Sequence, residues 1–460
     1  LLILHAGGGA RTTCLFNANV APRYNPFGVV SASDVDASGT PLLASSVQWG
    51  VGRALLGLDT GQSASTLSPR TLSTWNGATL PFVSQIANQV SVLGAVDHDP
   101  TQPQGDHDHR SATLRMCTGA PDGRVGLLTI LTKELGKESG APFRLPPVIV
   151  GGSGPLGASV YGIADRANAR YKPIQLNGPA DFEPPAASSG AAPDPPWVMS
   201  LEPQLDDAYA QVRPNALAGR AVDYIVAKQL GLEYSTALSA DSLRISYADA
   251  TLGTLRNGTP LSNAMIAELF GLPVNGQTSS TDRFDAHWGG PTALAVRLLQ
   301  NGAPAVAVGV GGWDLHARED RLLPRLAGSL GHTMAALYFL LSQLQDESVP
   351  GRTWWDTTLV VFTSEFCRDN TADTGDGGQT IGFNRESGSD HHGTRPSRYQ
   401  SLPIMGGGTP GGRLLMRTDE QLNPIGWPIA SASLLATMLL AMGVDADAYF
   451  SYPALTQVWN

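Results

Sequence analysis

Six short, near-continuous apolar runs recur along the chain, with longer stretches of helical period between them. The runs are "LLILH" (1–5), "VSVLGAV" (90–96), "PPVIV" (146–150), "PAVAVGV" (304–310), "TTLVVFTS" (357–364) and "LPIMGG" (402–407). A strand with one wet face alternates apolar and polar residues. A strand covered on both faces does not, and runs of this kind suit parallel strands. Helical patterns occupy 124–138, 216–230, 291–302, 321–345 and 430–442. Such alternation restricts the architecture to a doubly wound α/β sheet.

At 460 residues the chain fits one large domain with insertions or two domains, and 42% hydrophobic against 15% charged residues supplies a sizeable core. We take residues 1–460 as a single domain. The Pro-, Ala- and Ser-rich stretch 177–200 leads into an interrupted helical pattern to 285, so 177–285 reads as a cap or insertion over one end of the sheet. A net charge of −10, with four lysines among the 30 basic residues, disfavours duplex nucleic acid and anionic membranes as partners. The longest apolar run, 429–443, ends at Gly443 and is shorter than the ~20 residues a bilayer requires, so it reads as a packed helix rather than a transmembrane segment. Cys14, Cys117 and Cys367 allow one bridge and one thiol, or three buried thiols. The chain opens directly on a buried-strand pattern without methionine, and a removed leader such as a signal peptide is the expectation.

Ligands of open α/β sheets bind beyond the carboxyl ends of the strands, and the polar clusters fall there. "GGWDLH" (311–316) follows "AVAVGV" and places Asp314 and His316 two residues apart. In extended chain both would point to one side, as two ligands of one ion must. Glu365 and Arg368 stand at the exit of "TTLVVFTS". Charges there close the strand as an ion pair, or else put Glu365 on a metal and Arg368 on an anionic substrate oxygen. Asp390, His391 and His392 form a ligand-type trio on a Gly-flanked loop. In "GDHDHRS" the series Asp106, His107, Asp108, His109 precedes a helix, and either caps it or binds metal. "VIVGGSGPLG" contains Gly152, Gly154 and Gly157 in dinucleotide-loop spacing but lacks the acid expected about twenty residues on. "SDVDASGT" (33–40) opens like a calcium loop, but Ser45 stands where Glu is required, so it reads as a turn.

Taken together, "GGWDLH", "EFCRD" (365–369), "SDHHGTRPSRYQSLPIMGGGTPGG" (389–412) and the late "LLATMLLAMGVD" resemble the domain of unknown function 1501 family, a branch of the alkaline phosphatase-like superfamily. "LPPVIVGGSGPLGASVYG" (145–162) looks like that family's proline-led strand, and "GGGARTTCLFN" is similar to its opening Gly-rich stretch. The resemblance implies an alkaline phosphatase-like three-layer α/β sandwich with a mainly parallel central sheet and a helical or loop cap. It also implies export, often by the twin-arginine route, to the periplasm, cell surface or exterior. By position, Asp314, His316, Asp390 and His391 or His392 would be metal ligands, with His107 and His109 as further candidates. Glu365 would be a ligand or base, Arg368 an anion clamp, and Thr12 and Thr13 nucleophile-type residues. Two departures stand out: no acid ends the first strand, which reads "LHAGGGARTTC", and Cys367 replaces the family's glycine. His5 or the 106–109 cluster would have to substitute, and a single-ion site is what the residues support.

The function expected is an exported hydrolase of phosphate or sulfate esters using one divalent ion (zinc, manganese, iron or calcium). The alternative is a catalytically degenerate structural or assembly protein that keeps a remnant polar site. Partners would be a small anionic ester or an unknown protein, including further copies of the chain.

Overall fold

The computed structural model describes residues 1–22, 24–63, 75, 78–98, 108–120, 123, 125–138, 146–151, 157–176, 251–271, 288–300, 302–346, 348–368, 398–420 and 422–460. The architecture is mixed α/β around a mostly parallel sheet. Its strands are β1 (Leu2–Ala6), β2 (Val90–Asp97), β3 (Val148–Gly151), β4 (Ile174–Leu176), β7 (Val306–Val310), β8 (Leu359–Ser364), β9 (Gln400–Gly406), β10 (Leu414–Leu415) and β11 (Ile429–Ala430). A separate hairpin pairs β5 (Thr251–Thr254) with β6 (Pro260–Ser262). The main order is β10-β2-β9-β8-β1-β7-β3-β4, with β11 also on β2. All six apolar runs became strands of this sheet, and β1, β2, β7, β8 and β9 are buried along their whole length.

One direction differs from expectation. β9 runs antiparallel to both β8 and β2. A strand buried on both faces carries the same unbroken apolar signature in either direction, and the pattern therefore does not encode polarity.

The helices are α1 (His109–Thr118), α2 (Leu127–Glu138), α3 (Asn263–Leu269), α4 (Gly289–Gln300), α5 (Glu319–Leu341), α6 (Trp354–Thr357) and α7 (Ser431–Ala441). Adjacent residues of β8 show how both faces are covered. Thr363 faces Tyr161, whose hydroxyl is 2.9 Å from its Oγ1, while Phe362 packs against Phe16, Trp288 and Trp313. Successive strand residues point to opposite faces, so the layer holding Tyr161 and the layer holding Trp288 lie on opposite sides of the sheet.

β8, β1 and β7 are parallel neighbours, with His5 in register with both Gly309 and Thr363. Their exits therefore emerge side by side, although the three strands lie far apart in sequence. Gly7 N donates to Val310 O (2.9 Å), Trp313 N to Gly7 O (3.3 Å), and Ala10 bridges Cys367. This stitching positions the candidate site.

The helical pattern at 216–230, the loop glycines Gly152 and Gly154, and most of the 177–285 span expected to form a cap or insertion lie outside the described residues. Within that span, the 251–271 part packs on the end of α5, where Leu255 bridges Leu344 and Arg256 N donates to Gln343 O (2.8 Å). The 33–40 stretch is a turn, as expected. Asp36 Oδ1 accepts from Ser38 N and Thr40 N (2.9 Å each), and Asp34 pairs with Arg53 at 3.2 Å. All three cysteines are free and buried. Among the described residues no helix is long and apolar enough to cross a membrane.

Candidate metal centre

The loop after β7 keeps the alternation of extended chain. Trp313 and Leu315 are buried, while Asp314 and His316 are exposed. The two polar side chains therefore share a side, as the spacing required. Asp314 Oδ1 lies 2.9 Å from His316 Nε2 and 3.6 Å from His109 Nε2, the latter from the first residue of α1. Ligand atoms of His109, Asp314 and His316 all fall within 4.8 Å of one another. Donors around a tetrahedral ion at about 2.1 Å stand roughly 3.4 Å apart, so the measured separations bracket what one ion needs.

A glycine explains how the loops approach so closely. Gly8 has φ +110, and a Cβ there would stand 2.5 Å from Asp314 N. The loop after β8 contributes Arg368, fully buried, whose Nη1 donates to Gly8 O (3.0 Å) and to Asp314 Oδ1 (2.6 Å). Partial burial alone would raise the Asp314 carboxyl. The charge and hydrogen bond of Arg368, followed by His316 and His109, outweigh it and hold the group below the ordinary carboxylate range. Arg368 is thus engaged as the partner of Asp314.

Glu365 is fully buried. Its Oε1 is 2.5 Å from His109 Nδ1, and its Oε2 accepts from Thr113 Oγ1 at 2.7 Å. The hydrogen bond between Glu365 and His109 leads the causes that raise the His109 imidazole above its usual value, with burial working against it. The capping reading of the 106–109 cluster holds for Asp108, which accepts from Ser111 N (3.0 Å), while His109 turns into the polar group beside Asp314. Thr113 was not legible as a site residue. Its signal is the i, i+4 spacing from His109 on one helix face.

The other expected residues fall elsewhere. Thr12 and Thr13 are buried in a short 3-10 turn, where Thr12 Oγ1 accepts from Ser401 N (3.0 Å) and Thr13 Oγ1 lies 3.8 Å from Cys367 Sγ. His107, Asp390, His391 and His392 lie outside the described residues.

The sequence model of a family described as "protein of unknown function (DUF1501)" matches residues 58–457. The chain belongs to the DUF1501 family. None of the curated proteins compared with it matches. In this DUF1501 protein the matched span contains His109, Asp314, His316, Glu365 and Arg368, whereas His5, Thr12 and Thr13 precede it.

His5 is fully buried beneath this rim, with Nδ1 3.0 Å from Thr363 Oγ1 and Nε2 without a hydrogen-bond partner among the described residues. Burial lowers its pKa to about 4. The folded protein therefore refuses a proton that the unfolded chain accepts below about pH 6.5. This contribution is flat above pH 6.5, falls as pH drops toward 4, and levels off beyond, a loss of about 3 kcal/mol. Urea midpoints of wild type and His5→Gln between pH 7 and 4.5 check this: the variant is expected to show the shallower decline, and parallel declines would exclude His5 as the source.

Proposed function

We propose that this DUF1501 protein binds one divalent transition-metal ion through His109, Asp314 and His316, and uses the site to hydrolyse phosphate or sulfate esters. The observation that carries the reading is the meeting of an imidazole and a carboxylate from the loop after β7 with the imidazole that opens α1, with ligand atoms within 4.8 Å. This donor set suits zinc, manganese or iron, and disfavours calcium, which prefers oxygen alone. When bound, such an ion polarises a phosphoryl or sulfuryl oxygen and lowers the pKa of water toward about 7. The chain's own residues hold the site: Arg368 orients Asp314 by its 2.6 Å bond and keeps the carboxylate ionised. Asp390, His391 and His392 remain candidate further ligands. The reading includes an alkaline phosphatase-like sandwich, export, and a small anionic ester as substrate.

A second reading, a degenerate structural or assembly protein that keeps the site as a remnant, draws on specific observations. Arg368 is sealed and committed to Gly8 and Asp314, while Thr12 and Thr13 are buried. Metal analysis and turnover separate the two. Gently purified protein is expected to hold about one equivalent of zinc, manganese or iron, and less than about 0.2 equivalents of any of these would overturn the hydrolase and leave the degenerate reading with a hydrogen-bonded polar network in place of an ion. Turnover of aryl phosphate or sulfate that disappears in His316→Ala supports the hydrolase. Bound metal without turnover leaves the structural reading.

A further inference from the structure

Glu365 has no solvent-facing surface, yet it sits at the mouth of a strand beside an exposed polar group. A buried carboxylate needs its oxygens matched, and both are: Oε1 by the His109 ring and Oε2 by the Thr113 hydroxyl. An ionised carboxylate only accepts, so His109 Nδ1 must carry the hydrogen of the 2.5 Å contact. Nε2 of the same ring is the atom turned toward Asp314, at 3.6 Å. Thr113 stands one helical turn after His109, and its single hydroxyl hydrogen is shared between Glu365 Oε2 and His109 O, the latter 2.6 Å away. The helix backbone, the ring and the carboxylate are thereby tied into one unit.

We infer that Glu365 is a positioning residue, pinned by Thr113, that fixes the His109 ring with its Nε2 lone pair toward Asp314 and makes that nitrogen a stronger donor. This rests on the metal-binding reading and refines it. Glu365 is the buried support of a ligand, not a fourth ligand, and Thr113 belongs to the site although it touches no ligand atom of Asp314 or His316. Supports of this kind typically change metal affinity by about 10–100-fold when removed, because ring orientation and basicity both depend on them.

The experiment is competition titration of zinc and cobalt(II) against a chromophoric chelator, with the cobalt d–d spectrum recorded on wild type, Glu365→Gln, Thr113→Val and Thr113→Ser. Glu365→Gln is expected to bind roughly 10–100-fold more weakly with the band pattern of the same ligand number. Thr113→Val, which keeps the side-chain volume, is expected to lose roughly three- to tenfold, and Thr113→Ser, which keeps the hydroxyl, to stay within about twofold of wild type. Packing alone would not separate valine from serine in that way, and this pair decides the matter if Glu365→Gln fails to fold. Wild type that binds while Glu365→Gln matches it within about twofold would overturn this inference alone. So would a spectrum showing one ligand fewer, which would make Glu365 a direct ligand. Wild type that takes up neither metal would overturn the underlying reading and this one with it.

Discussion

Asp314→Ala is expected to weaken zinc or cobalt binding by at least about 100-fold and to lower stability by about 2 kcal/mol. The two effects have different origins. Asp314 Oδ1 is the atom on which Arg368, His316 and His109 converge, so its removal takes away a proposed ligand and the group that holds the others in register. It also leaves the guanidinium of Arg368 without this carboxylate in a position with no solvent exposure. Breaking a fully buried pair costs about 3–5 kcal/mol. Asp314 itself is 45% exposed, so water screens part of the pair and the smaller figure applies. Asp314→Asn separates the effects: its amide oxygen still accepts from Arg368, so the urea midpoint recovers most of the loss while metal affinity does not. An alanine variant binding metal within about threefold of wild type would remove Asp314 from the ligand set.

Gly8→Ala should cost at least as much stability, with a smaller loss of metal affinity, without touching a single polar group. Its φ of +110 is a conformation that L side chains rarely adopt, and holding alanine there costs about 1–2 kcal/mol. The added carbon would stand 2.5 Å from Asp314 N and 2.9 Å from Asp314 Cβ, which is closer than real contacts allow. Backbone cannot swing aside as a flexible side chain can. The 311–316 loop must move instead, at a further cost of about 1–3 kcal/mol. Loss of about 2–5 kcal/mol in urea denaturation is expected, together with at least tenfold weaker metal binding, since Asp314 shifts away from His109. An unchanged midpoint would mean that the two loops are not packed as described.

How much of this could be read from the chain alone depends on the kind of signal. The strands were legible because burial on both faces leaves unbroken apolar runs, and the Asp314–His316 pairing was legible because a two-residue spacing has one geometric meaning in extended backbone. The reversed direction of β9 was not, since burial is blind to direction. His109 was half legible: its place before a helix fitted a cap as well as a ligand, and only the fold brings residue 109 against residue 314. Glu365 was placed at the site from its cost at a strand end, but its partner Thr113 carries no polar oddity of its own. Arg368 read either as the partner of Glu365 or as a substrate clamp, because an arginine at a strand exit advertises a charge without fixing its counter-ion, and the fold supplies Asp314. Family membership accounts for residues 58–457 and leaves the chemistry to the geometry.

The placement of β1 between β7 and β8 carries a consequence for how the protein is made. Residues 2–6 are translated well before their neighbours in the sheet, Val306–Val310 and Leu359–Ser364. This apolar strand must therefore wait while the intervening residues are translated. Pairings at such sequence separation form slowly and expose sticky edges meanwhile. Holdase protection of this early strand should thus govern yield more than the final stability does, and the polar rim can come into being only as one of the last events of folding.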